Sequence, residues 1–129
     1  FIMSSLVIKS ELGLNNSKHH FDLSLIEFQE DQVTIIYSPA LDLSGYGYNL
    51  QEARNSFSEA LQEFFRYTSN KKTTDKILED LGWSIIDTKE KPRFNPPKDS
   101  DLVQTNPLFN DIVNNKDYKV SREDIELAL

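Results

Sequence analysis

The 129-residue chain has no cysteine, only four glycines, and no apolar run long enough to cross a membrane. Without cysteine, a disulfide scaffold and any thiolate metal or redox site are excluded. A membrane helix needs about 20 consecutive apolar residues, so we expect a soluble and cytoplasmic protein. Basic residues are also scarce, 14 against 21 acidic ones, which gives a net charge of −7.

This acid excess argues against nucleic-acid binding by the whole surface, because phosphates and carboxylates repel, and it favours a basic partner. What the chain has in quantity is aromatic side chains, namely 8 Phe, 5 Tyr and 1 Trp. These are enough to build a hydrophobic core, so disorder along the whole chain is excluded. The length fits one compact domain.

Alternating apolar residues predict three strands in the N-terminal third of the chain. Because the connections between them are short, we expect these strands to pair antiparallel as a meander. The three period-2 segments are residues 5–14, 21–28 and 33–37.

The segment from Asn49 to Tyr67 predicts a long helix. Asn49 can cap its start and Glu52 stands where a capping box needs an acid. One helical stripe of apolar residues predicts packing on a face of the sheet: Leu50, Ala53, Phe57, Ala60, Leu61 and Phe64. Beyond it, the pattern predicts a shorter helix over residues 74–81 and a strand over 83–87 that returns to the sheet as its fourth strand.

The C-terminal third combines a helix opened by Asn106 and Pro107 with a terminal strand from Tyr118 onwards, which pairs with the sheet or with another chain. The predicted fold class is therefore α+β, an antiparallel three- to four-stranded sheet with one long helix packed on one face, short helices and a C-terminal strand. The predicted organisation is an α+β core at 5–87, a linker rich in proline and lysine at 88–100, and a helix-strand extension at 101–129.

Motifs for catalysis and for cofactor binding are missing. His19 and His20 are adjacent, so on a strand they point to opposite faces and cannot easily share a metal. There is no G-x-S-x-G nucleophile elbow and no phosphate-binding loop. We therefore expect a non-enzymatic protein with no catalytic residues, no metal and no cofactor. A small hydrolase is the alternative, and it requires Asp22, Asp42 and Glu52 to meet at the centre of the sheet.

Residues 33–65 read V-T-I-I-Y-S-P-A-L-D-L-S-G-Y-G-Y-N-L-Q-E-A-R-N-S-F-S-E-A-L-Q-E-F-F. The strand ending at Pro39, the L-x-L-S-G-Y-G turn and the helix start at Glu52 and Ala53 resemble the HicB family of antitoxins, especially the larger variants with an added strand and a C-terminal extension. The resemblance covers about a quarter of the chain. It implies a small, partly degenerate ribonuclease-H-like unit without catalysis.

The resemblance also implies a partner, a small basic toxin of the HicA family that cleaves mRNA and has a double-stranded-RNA-binding fold, together with assembly into a homo-oligomer. Many HicB-like antitoxins carry a C-terminal DNA-binding module. Here residues 95–129 hold 4 basic and 7 acidic residues, and one helix before a strand cannot supply a recognition helix behind a scaffold helix. We therefore expect no DNA binding by this chain alone.

Apolar residues of the C-terminal part are the predicted anchors for the partner, unless they pack back on their own sheet: Phe94, Leu108, Phe109, Ile112, Ile125, Leu127 and Leu129. A second hypothesis is a nucleic-acid-binding protein on the same fold. It would use six basic residues, which otherwise act as solubilising groups at loop ends: Lys71, Lys72, Lys76, Lys89, Lys91 and Arg93.

Overall fold

The computed structural model describes the backbone of residues 6–7, 18–67, 71–86 and 93–128, and side chains within 22–67, 73–85 and 94–125. Its elements confirm the α+β fold class. In chain order they are β1 (Leu6–Val7), β2 (Lys18–Glu30), β3 (Val33–Ser38), β4 (Leu43–Gly47), α1 (Leu50–Tyr67), α2 (Lys71–Asp80), β5 (Ser84–Ile86), β6 (Arg93–Asn95), α3 (Asp99–Thr105), α4 (Pro107–Asn115) and β7 (Tyr118–Ala128).

The main sheet has the strand order β1-β7-β2-β3-β4. Strands β7, β2, β3 and β4 are antiparallel, and β1 lies parallel to β7 at the edge. The predicted meander is thus wrong in its first strand, since β7 takes the place beside β2. The long C-terminal strand pairs with β2 from Lys18–Ala128 to Phe28–Tyr118, and the described residues of β1, Leu6 and Val7, pair with β7 instead.

The turn between β2 and β3 is tight. Glu30 and Val33 pair directly, which leaves Asp31 and Gln32 as a two-residue loop with φ of 50° and 68°. Positive φ at both central residues is the signature of a type I′ turn, whose twist matches that of the flanking strands. This turn sets the register of the β2-β3 hairpin.

Helix α1 lies on one face of the sheet, against β4 and β3. Asn49 caps it as predicted, because its Oδ1 accepts from the Glu52 N–H at 2.9 Å and its Nδ2 donates to the Glu52 carboxylate at 3.1 Å. The buried stripe runs at four-residue spacing through Ala53, Phe57, Leu61 and Phe65. Burial of each large side chain in this stripe stabilises the fold by about 2 kcal/mol.

The predicted fourth strand forms, but not in the main sheet. Strand β5 pairs instead with β6 in a separate two-stranded sheet, with Ser84 opposite Asn95 and Ile86 opposite Arg93. Helix α2 precedes it and ends at Gly82, whose φ of 95° suits glycine. The Trp83 ring is buried and its Nε1 donates to the carbonyl of Ala40 at 2.8 Å.

The C-terminal segment belongs to the same core as the rest of the protein. The stretch predicted as a linker contains β6 and the start of α3, a helix that the sequence pattern did not predict. Asn106 caps α4 by accepting from the Phe109 N–H at 3.2 Å, with Pro107 in the first turn. Since β7 lies inside the main sheet, residues 101–129 are part of the fold and not an appendage to it.

Candidate functional site

The predicted C-terminal anchors lie mostly inside the protein. Phe94, Phe109, Ile112 and Ile125 are buried in its own core, while Leu108 on α4 is 49% exposed. Leu127 is on β7 but its side chain is outside the described part, as is the whole of Leu129. In this conformation the four buried residues pack as the alternative interpretation proposed, so a partner cannot reach them.

The six basic residues of the nucleic-acid hypothesis are described only in part. Lys76 is exposed on α2. The side chains of Lys71, Lys72 and Arg93 fall outside the described part of the chain, as do Lys89 and Lys91 altogether. Five of the six side chains thus lie outside the described residues, and the nucleic-acid hypothesis stays a prediction.

The three carboxylates of the hydrolase alternative do not meet. Leu23 pairs with Glu123, which contacts α1, so Asp22 points away from α1 to the opposite face of the sheet. Asp42 stands between β3 and β4, and Glu52 in the first turn of α1. Among the side chains that the structure describes, no group of three or more His, Cys, Asp or Glu residues could hold a metal ion.

The glycine turn of the motif serves the packing of α1. A Cβ on Gly45 would lie 2.1 Å from the Phe57 nitrogen, and one on Gly47 would lie 2.4 Å from the Glu52 Cβ. Both glycines thus let the backbone of β4 touch the helix. Because side chains alternate along a strand, Tyr46 between them faces away from α1.

The outer edge of β4 is covered by side chains of α1. The N–H of Tyr46 donates to the Ser56 Oγ at 3.1 Å, and the N–H of Tyr48 points to the Glu52 Oε1 at 3.5 Å. Edge strands with free N–H groups attract other strands, and covering them is a common protection. These two donors are therefore already occupied within the chain.

The sheet face opposite α1 carries the exposed Tyr46 on β4, and the exposed Tyr48 follows just beyond the end of this strand. Tyr46 is 66% exposed and Tyr48, two residues further on, is 81% exposed. Beside them, Ile35 pairs with Tyr46, and both Ile35 and Val33 are half-buried. We call these four residues, Val33, Ile35, Tyr46 and Tyr48, the tyrosine face.

The same face is covered further along the strands by the C-terminal helices. The Tyr37 hydroxyl donates to the Asp42 carboxylate at 2.6 Å and accepts from the Asn106 Nδ2 at 2.7 Å. Burial, and then the hydrogen bond to Asp42, raise the pKa of Tyr37 well above its ordinary value. Tyr37 therefore stays neutral at physiological pH, and it links the strands to the start of α4.

Two charged contacts hold β7 in place. The Arg54 guanidinium of α1 lies 3.0 Å from the carboxylate of Glu123, which is only 1% exposed. At the other end, Lys116 lies 3.3 Å from the Glu30 carboxylate and 5.9 Å from the centre of the Phe28 ring.

An open cleft of about 530 Å³ lies beside the contact between Lys116 and Glu30. It is lined by Glu27, Phe28, Gln29, Asn115, Lys116, Asp117, Tyr118 and Lys119.

Sequence reasoning assigned the aromatic residues to the core and did not single out Tyr46 and Tyr48. A usable signal was present, because Gly45 and Gly47 alternate with Tyr46 and Tyr48. If the glycines admit a helix on one face, the tyrosines must be on the other.

Among the described helices, none is long and apolar enough to cross a membrane. Comparisons of the chain with protein-family models, curated proteins and solved structures find no match.

Proposed function

We propose that this protein is a non-enzymatic binding module of the HicB-like antitoxin type, which masks a small basic mRNA-cleaving toxin. One observation carries the proposal. Residues 21–53 contain six carboxylates and no Lys, Arg or His. Three of these carboxylates, Asp22, Glu27 and Glu30, lie on β2. The other three lie beside β3 and β4, with Asp31 in the β2-β3 turn, Asp42 between β3 and β4, and Glu52 in the first turn of α1.

The excess of carboxylates in residues 21–53 suits a partner whose own function depends on positive charge. A protein that cleaves mRNA binds phosphates with basic residues, and an acidic surface of similar extent competes with the RNA for those residues. Complementary charge also accelerates encounter, at rates that fall as salt increases. Masking by this route needs no catalytic group on the antitoxin.

The resemblance in residues 33–65 adds support. In the structure this segment is β3, β4 and most of α1, a unit held together by the close contact of Gly45 and Gly47 with the helix. The segment that carries the motif therefore overlaps the acidic stretch of residues 21–53 and continues into the helix packed on the sheet. The proposal places the partner against these strands, and not against the buried C-terminal residues.

The proposal includes a homo-oligomer and a cytoplasmic location, as HicB-like antitoxins have, and no DNA-binding role for residues 95–129. Strand β7 is used within the sheet, and α3 and α4 have only seven and nine residues. A recognition helix that enters a DNA groove has to project from the fold, whereas α4 turns Phe109 and Ile112 into the core.

The test is co-expression with the product of the adjacent small basic gene. We expect the two proteins to co-purify, growth arrested by the small protein to be rescued by this chain, and mRNA cleavage in a purified assay to stop at equimolar chain. The complex should weaken as salt is raised, since charge contributes to it. An isolated gene without such a neighbour and without growth rescue would contradict the proposal, as would RNA cleavage that continues at saturating chain.

A further inference from the structure

We propose that the tyrosine face is the docking surface for a basic polypeptide, with Arg or Lys side chains of the partner lying on the rings of Tyr46 and Tyr48. The identity of that polypeptide as a toxin rests on the proposed function. The surface itself does not, since it follows from the exposure, charge and backbone geometry of β3 and β4.

The tyrosine face is open because the chain's own elements cover other parts of the sheet. Helix α1 packs on the opposite face, as the contacts of Gly45 and Gly47 show. The C-terminal helices approach this face only as far as Tyr37, which Asn106 contacts. Tyr46 and Tyr48 remain more than half exposed. Tyr46 on β4 and Tyr48 just after its end are two large exposed aromatic rings, of the type that is enriched at protein interfaces.

The surroundings of the tyrosine face favour a cationic partner. Asp31 lies in the β2-β3 turn next to the end of β4, since Thr34 pairs with Gly47. Glu52 lies beside Tyr48, and Asp42 precedes β4 at its other end. Aromatic faces attract guanidinium and ammonium groups, and nearby carboxylates add to this attraction. Nucleic acid is disfavoured, because no basic residue occurs in residues 21–53 to hold a phosphate, and Lys116, which lies over the ring of Phe28 opposite Ile35, is paired with Glu30.

The partner should use the side-chain face of β4 and not its edge. Strand addition needs free N–H groups along the edge, and those of Tyr46 and Tyr48 face Ser56 and Glu52. An added strand would have to displace two side chains of α1. Docking on the rings leaves all of these bonds in place.

The experiment measures binding of fluorescein-labelled nona-arginine to the full chain by fluorescence anisotropy. Two cation–π contacts of ordinary strength correspond to a change in affinity of about fivefold to thirtyfold. We therefore expect Tyr46→Ala/Tyr48→Ala to weaken binding by that factor. Tyr46→Phe/Tyr48→Phe keeps both rings and should bind within about twofold of wild type.

The matched control is Tyr67→Ala, because Tyr67 is 88% exposed at the end of α1, away from the tyrosine face. It should bind like wild type. For charge, Asp31→Asn should weaken binding and Asp80→Asn, on the exposed end of α2, should have a smaller effect. Asn tolerates the positive φ of residue 31. If the double alanine variant fails to fold by circular dichroism, Tyr48→Ala alone is the test, since Tyr48 lies outside β4.

Wild-type affinity in the double alanine variant, or an equal loss in Tyr67→Ala, would overturn the proposal. Tighter binding of a labelled single-stranded RNA that depends on Tyr46 and Tyr48 would overturn it too, because the rings would then serve as a base-stacking platform. Growth rescue that is unchanged in the double alanine variant would refute this surface while the antitoxin proposal stands. Ring-dependent nona-arginine binding in a chain that rescues nothing would support the surface alone.

Discussion

The substitution Gly45→Ala tests how closely β4 and α1 must approach. A methyl group on residue 45 would lie 2.1 Å from the Phe57 nitrogen, 2.5 Å from its Cα and 2.8 Å from the Ala53 carbonyl oxygen. All three are backbone atoms of a helix, so they cannot turn aside as a side chain would. To restore an ordinary contact of 3.4 Å, the helix has to retreat by about 1.3 Å.

A retreat of that size opens a gap beneath the whole buried stripe of α1. A radial gap of 0.5–1 Å already forfeits about a quarter to a half of the dispersion attraction, and the stripe has three large buried side chains, Phe57, Leu61 and Phe65, at about 2 kcal/mol each. Alanine also reduces the entropy of the unfolded chain, which offsets about 0.5–1 kcal/mol. We therefore expect Gly45→Ala to lower the free energy of unfolding by about 2 kcal/mol.

Urea unfolding followed by circular dichroism measures this loss. With an m-value of about 1.5–2 kcal/mol per molar, the midpoint should fall by roughly 1–1.3 M. The control Ser44→Ala changes the neighbouring exposed residue and should stay within about 0.5 kcal/mol of wild type. A loss below about 1 kcal/mol in Gly45→Ala would refute the reasoning, since the helix would then not rest on this glycine.

Two further predictions concern the contacts that join distant parts of the chain. Arg54→Met keeps much of the aliphatic stem but removes the guanidinium that faces buried Glu123. We therefore expect urea unfolding to show that the free energy of unfolding falls by about 2–3 kcal/mol. A fall of less than about 0.5 kcal/mol would contradict a stabilising ion pair. The raised pKa of Tyr37 means that its neutral form stabilises the fold fully below pH about 10, and that this contribution is lost as the pH rises through the folded-state value. Unfolding measured between pH 8 and about 11 should therefore show a steeper alkaline loss in wild type than in Tyr37→Phe, and equal slopes would count against the raised pKa.

The elements that were predicted well are those with local signals. Helix α1 was predicted within one residue because Asn49 and Glu52 cap it and its apolar residues recur with helical spacing. The start of α4 followed from Asn106 and Pro107 for the same reason. Strand β7 was predicted from alternation alone. In each case the determining interactions lie within a few residues of one another.

The placement of the strands was predicted less well. The apolar alternation of residues 5–14 and 118–129 is equally compatible with a position beside β2, and no short-range feature distinguishes them. The register of a long ladder distinguishes the two segments, and in the structure it is β7 that lies beside β2. Strand β5 was assigned to the main sheet because its partner β6 lies in a stretch whose prolines and lysines suggested a linker. Helix α3 was missed because its seven residues offer only Leu102 and Val103 as apolar contacts.

The candidate surface shows the same division. The sequence contained the acidic stretch and the alternation of glycine with tyrosine in residues 45–48. Whether the tyrosines were core or surface depended on which face α1 and the C-terminal helices would cover. Conversely, Phe109 and Ile112 looked like free anchors only while α4 had no known neighbour.

By itself, the sequence determined the α+β class, the capped helix α1, the terminal strand and the lack of positive charge in residues 21–53. These follow from spacing and composition, which act over a few residues. Only the tertiary structure decided that β7 lies beside β2, that the predicted anchors are mostly buried and that Tyr46 faces outward. Each of these depends on contacts between residues far apart in the chain, whose free energies no local pattern encodes.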